Sequence, residues 1–169
     1  MAVNDIKVLK NSNYGTYRFR VDDRTATSLT ETLKPGDCVI KNTGGFVGLL
    51  TDGMPTQGTD IFVGVTRTES TETSVANGTV DVELVGPGTI LRGKATTAAN
   101  VDTDAELLPL LFDYVNFDRS AATVAGLLTI DENEGDTPGT LALCILNGDI
   151  VKGTLDVAVA NSHLWIGTV

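Results

Sequence analysis

Asn77-Gly78-Thr79-Val80-Asp81-Val82-Glu83-Leu84-Val85 reads as a β-strand entered from a tight turn. Asn-Gly is the strongest short hairpin signal, because both central positions of a type I′ turn need positive φ. Val80, Val82 and Leu84 alternate with Asp81 and Glu83. That period of two marks a strand with one buried and one wet face. Glu72–Ala76 is the expected partner strand across the turn.

The same grammar extends in both directions. In the strand Tyr14–Val21, the residues Tyr17, Phe19 and Val21 alternate with Thr16, Arg18 and Arg20, so one face is apolar and the other basic. Lys34-Pro35-Gly36-Asp37 is a turn, since Pro presets φ and Gly tolerates positive φ. Cys38–Lys41 and Phe46–Leu50 read as strands paired around Asn42-Thr43-Gly44-Gly45. Phe62–Thr66 follows, then Ile90–Ala95 after the Gly86-Pro87-Gly88 break. Leu110–Phe117, Val124–Ile130, Leu141–Leu146, Asp149–Val159 and His163–Thr168 complete the strands, with Asn147-Gly148 expected to close a second hairpin. Only Asp102–Leu108 reads as a helix, capped by Asp102 or Thr103 and stopped near Pro109. The expected fold is all-β: a compact β-barrel or β-sandwich with one short helix and an N-terminal arm. Residues 1–30 are the arm or edge-strand segment, and residues 31–169 the barrel or sandwich domain.

The chain has 169 residues and a formal net charge of -10, enough for one domain with a sizeable core. Its charge is uneven. Residues 1–41 hold seven Lys/Arg against five Asp/Glu, and residues 42–169 hold five against seventeen. Between Ile6 and Val21 lie Lys7, Lys10, Arg18 and Arg20 and no acid. An arm of this kind suits docking to an acidic protein surface, or adding a strand to a neighbour's sheet edge. Lys7, Lys10, Tyr14, Tyr17, Arg18, Phe19 and Arg20 are therefore the expected partner-binding residues. Nucleic acid is not an expected partner, because four cations are few and the acidic body repels a polyanion. No membrane is expected either, since no stretch approaches the roughly 18 apolar residues of a span. Met1-Ala2-Val3-Asn4-Asp5 lacks the charged start and apolar run of a signal peptide, so synthesis in a cytoplasm is expected. Cys38 and Cys144 each lie in an apolar run and are expected as buried free thiols.

Motifs that carry chemistry fail on their details. Gly88-Thr-Ile-Leu-Arg-Gly93-Lys94 fits a phosphate-binding loop, but Ala95 stands where a hydroxyl must ligate magnesium. Its interior is β-prone, so a strand ending at a Gly is the better reading. Asp131-Glu-Asn-Glu-Gly135-Asp136 misplaces the glycine of a calcium loop, and Ala142 replaces its terminal Glu. His163 is the only histidine, too few for a His-based zinc site with two cysteines. Asp113 and Asp118 could form a carboxylate pair, yet nothing in the sequence brings them into a cleft. Asn77-Gly-Thr79 fits a glycosylation pattern but reads as a turn. No catalytic residue, metal or cofactor is expected.

The Lys-Pro-Gly-Asp turn leading into Cys38-Val-Ile resembles the small β-barrel decoration (cement) proteins of tailed phages. So do the Gly86-Pro-Gly88 break, Phe117-Asp118 followed by Val124–Ile130 and its acidic loop, and the closing Asn147-Gly-Asp-Ile-Val-Lys-Gly-Thr-Leu-Asp-Val-Ala-Val159. The resemblance spans roughly residues 34–157. It implies a compact β module, often trimeric, that binds the outer surface of the major capsid protein shell and stabilises it without chemistry. A virion exterior location follows from it. Another virion component, in a tail, baseplate or fibre, would share this composition. A trimeric β-barrel nucleotide hydrolase with sites between subunits is the further alternative.

Overall fold

The quoted strand lies at the centre of a barrel wall. In the computed structural model, which describes residues 6–10, 14–26, 29, 32–50, 61–118, 128–133, 143–160 and 163–164, the chain is mostly β. In order it forms β1 (Lys7–Lys10), β2 (Thr16–Val21), β3 (Cys38–Lys41), β4 (Val47–Leu49), β5 (Phe62–Thr66) and β6 (Gly78–Leu84). There follow β7 (Ile90–Lys94), α1 (Asp104–Leu110), β8 (Tyr114–Asp118), β9 (Thr129–Asp131), β10 (Leu143–Asp149) and β11 (Thr154–Val159).

Five strands close into a barrel in the order β2-β4-β3-β5-β6. β6 carries β2 on one side, antiparallel from Thr16↔Glu83 to Val21↔Gly78, and β5 on the other. Its alternation sends Val80, Val82 and Leu84 inward, where they meet Val21, Val39, Val47 and Val63. The Lys34–Asp37 turn forms as read. Gly36 has φ 94°, and the Asp37 N–H donates to the Lys34 carbonyl at 3.0 Å. Positive φ at the third residue of a turn, directly after a Pro, is the type II geometry that calls for Gly.

The other six strands form a sheet in the order β1-β7-β11-β10-β8-β9. Its register lines up Val8, Leu91, Val157 and Ile145 across four strands. These pack on the main core, which also takes Cys38, Leu50, Phe62 and Val65 from the barrel. Barrel and sheet thus share one apolar layer. On the opposite face of the sheet, Arg92 donates two hydrogen bonds to Asp156, at 2.6 and 2.7 Å.

Five expectations change. Asn147-Gly148 does not turn: β10 runs on through a bulge to Asp149, and the chain reverses at residues 150–153. Cross-strand pairing with Asp156 and Leu155 holds those two residues extended. Glu72–Ala76 is not a strand. The Thr73 N–H closes instead on the Ala76 carbonyl at 2.9 Å, and Gly78 packs so close to Glu72 that a Cβ would lie 2.0 Å from its nitrogen. The strand expected from Leu110 begins only at Tyr114, because Phe112 adopts φ 73°. The helix sits two residues later than expected, with Thr103 as its N-cap residue and Pro109 inside its last turn. There the Thr103 hydroxyl donates to Glu106 Oε2 at 2.7 Å, not accepting from the helix backbone. Cys38 is buried, whereas Cys144 is only half-buried; both are free thiols. Most of the strand expected at Val124–Ile130, and of that at His163–Thr168, lies outside the described residues.

Candidate partner-binding surface

Six of the seven residues expected to bind a partner fall on two strands in different layers, and Tyr14 precedes the second of them. Lys7 and Lys10 lie on β1, the edge strand of the sheet, opposite Arg92 and Ile90 of β7. Both are exposed. Tyr14 is half-buried, with its ring over Gly86, where a Cβ would meet it at 2.2 Å. Tyr17, Arg18, Phe19 and Arg20 lie on β2. The strand read as seeking an outside partner has one within the chain, since it pairs along the whole of β6.

The basic face of β2 is also partly neutralised. Arg18 stands opposite Asp81 and donates to both its carboxylate oxygens, at 2.8 and 3.1 Å. The hydrogen bond from Arg18 holds the Asp81 carboxyl below its usual range, and the same bond raises Arg18. Arg67 likewise pairs with Glu83 of β6. Lys7, Lys10 and Arg20 are exposed cations of the basic segment, but Lys7 and Lys10 are on the sheet and Arg20 on the barrel. The structure therefore disperses the cationic patch that the linear segment suggests.

The apolar face of β2 carries a different feature. Beyond Val21↔Val47, which is the one residue pair that joins β2 to β4, the strands part. The gap is a cleft of about 320 Å³ lined by Phe19, Lys41, Gly45, Phe46, Val47, Ile61, Val63 and Leu84. The turn between β3 and β4 supplies part of its wall. Asn42 accepts from the Thr43 N–H at 2.8 Å, and Gly44 and Gly45 take φ 74° and 85°. Gly45 and Phe46 at the end of that turn line the cleft together with Phe19 of β2. Tyr17 shares the inward side of β2 with Phe19, yet remains 58% exposed. Sequence reading found Tyr17 and Phe19 by alternation. It missed Lys41 and Phe46, whose signal was the Asn-Thr-Gly-Gly turn between them, and Ile61, which stands just before β5.

The chemical motifs resolve into structure. Residues 90–94 of the phosphate-loop look-alike are β7. Glu132 of the calcium-loop look-alike is buried and accepts from the Thr97 N–H and Asn100 Nδ2, both at 3.0 Å. It thereby holds the 3-10 turn at Ala98–Asn100. Residues 134–140 of that loop lie outside the described residues. His163 is buried beside Leu164, which bridges to Phe62. Asp118 ends β8 opposite Thr129, and Asp113 precedes that strand. Among the described residues, no three His, Cys, Asp or Glu side chains gather as a metal site would require. No described helix is long and apolar enough to cross a membrane. No protein-family model matches the chain, and no curated protein matches its sequence.

Proposed function

We propose that the protein is a non-enzymatic virion module that binds the outer surface of a phage capsid and stabilises the shell, working as a homo-oligomer, with a trimer as the expected form. The observation that carries this reading is the barrel flank at β2: an exposed Tyr17 beside an apolar cleft, on a strand whose Arg18 is held by Asp81. Such a surface suits protein contact. Aromatic residues at a partly apolar patch are the groups that dominate binding energy when buried against a partner. The turn and strand features that resemble decoration proteins supply the class of partner, the major capsid protein.

The two-layer body fits a mechanical role. Barrel and sheet share one core, and clustered copies on a shell would bind with avidity. The test uses purified heads stripped of surface proteins, with tails in parallel. Heads should take up the protein to a fixed number of copies, and Tyr17→Ala should lower occupancy at limiting concentration. Uptake by tails and not heads would move the protein to a tail, baseplate or fibre. Binding to neither would sink the reading.

A further inference from the structure

A second apolar feature lies on the other layer. Phe112 is 69% exposed just past the end of α1, and Leu108 in the last turn of that helix is 61% exposed. Phe112 holds φ 73°, a region that bulky side chains rarely enter. Its backbone is pinned there. The Phe112 N–H donates to the Ile145 carbonyl at 2.8 Å, and the Ile145 N–H donates to Asp113 at 3.0 Å. The fold thus holds a strained backbone at a residue whose aromatic side chain stays mostly exposed to solvent. Strain of this kind is stored at functional positions.

The surroundings of this knob are acidic. Asp102, Asp104 and Glu106 are exposed on the same short helical segment, Asp113 follows, and no Lys or Arg occurs from Val101 to Asp118. The cleft on the barrel is its complement. It is apolar, lined by Phe19, Phe46 and Ile61, and its charged lining residue is a cation, Lys41. Arg20 is exposed on the bordering strand. An apolar cavity of about 150 Å³ suffices to hold a benzene ring, so a cleft of about 320 Å³ admits the Phe112 ring with room for part of Leu108.

We infer that the knob of one copy, Phe112 and Leu108, seats in the β2/β4 cleft of a second copy, with Lys41 facing the acidic α1 segment. The two surfaces are different, so the contact is head-to-tail. It builds a ring if the rotation closes and an open array if it does not. The inference rests on the self-association in the proposed function and does not need the capsid.

Sedimentation of the free protein from about 1 µM to about 1 mM covers the relevant affinities. Wild type should assemble with concentration. Phe112→Asp and Lys41→Glu, both at exposed positions, should each raise the dissociation constant about tenfold or more, as central interface groups do, with melting temperatures no lower than wild type. Phe46→Asp provides a second cleft variant. The decisive sample is an equimolar mixture of Phe112→Asp and Phe46→Asp. Each retains the surface the other lacks, so the mixture should form complexes of two chains and stop there. A wild type that stays monomeric throughout overturns the inference. So does an assembly that survives these substitutions, or a mixture that stays monomeric. Assembly of the free protein without uptake by heads would sink the capsid reading alone.

Discussion

Phe62 of the barrel stacks on Phe117 of the sheet, with ring centroids 5.9 Å apart and planes 23° from parallel. Both rings are fully buried in the shared core. Phe62→Ala or Phe117→Ala should cost about 3–5 kcal/mol, read as a lower denaturant midpoint with unchanged slope. The double variant should lose about 0.5–1.5 kcal/mol less than the sum of the singles, the worth of the ring pair beyond its area.

Gly64 cannot carry a side chain. A Cβ there would lie 2.1 Å from the Glu83 carbonyl oxygen and 2.8 Å from Val82, so β5 and β6 would have to separate. Gly64→Ala should destabilise by about 2 kcal/mol or more, within the range for overpacked interiors, measured by chemical denaturation.

Phe112→Asn should do the opposite. Asn tolerates the left-handed region that costs other residues roughly 1–2 kcal/mol. The variant should melt higher than wild type, while self-association weakens. A gain in stability paired with a loss of assembly would separate the knob from an ordinary packing residue.

Removing Arg18 tests the ion pair across β2 and β6. Asp81 has a folded pKa held below its unfolded value of about 3.9. Its contribution is therefore present above that value and lost as pH falls through the folded one. Arg18→Gln should show a small deficit in melting temperature at pH 7, and the difference should vanish at the acid end of a titration. Both side chains are solvent-accessible, so salt should shrink the deficit at neutral pH.

The two thiols should part in reactivity. Burial, with a smaller contribution from Asp113, raises the Cys144 thiol above its ordinary value. Thiolate is the reactive form. Labelling of the folded protein at pH 8 should modify Cys144 slowly and leave Cys38 untouched until denaturant is added.

Deleting residues 1–21, an obvious way to test an N-terminal arm, removes β1 and β2 together. It opens the barrel and exposes the Val80–Val82–Leu84 face. That variant should bind hydrophobic dye and lose cooperative melting, so point substitutions are the informative probes.

What was legible in the sequence was local. Cys38–Lys41 and Phe62–Thr66 are strands because short apolar runs between turn residues have few other ways to be buried. The Pro35-Gly36 turn needs only its own two residues. What was hidden depends on distant partners. Arg18 reads as a free cation until Asp81, 63 residues away, is placed opposite it. Asn147-Gly148 carries turn chemistry, yet its pairing with β11 overrides that preference. Phe112 looks like the start of a strand, and nothing near it in sequence announces positive φ. The division between barrel and sandwich was open because one chain builds both a closed barrel and an open sheet.

The pairing of β2 with β6 also has a consequence during synthesis. A ribosome delivers Thr16–Val21 first, and their partner strand emerges some 63 residues later. At about 5–20 residues per second this is a wait of roughly 3–12 s. Throughout it Tyr17, Phe19 and Val21 form an unpaired, aggregation-prone strand in the nascent chain. Arg18, Arg20, Asp22 and Asp23 interrupt and flank that strand, as gatekeeper charges do. The basic residues that suggest a docking arm thus have a second use before the barrel exists: keeping an early strand soluble until its partner is made.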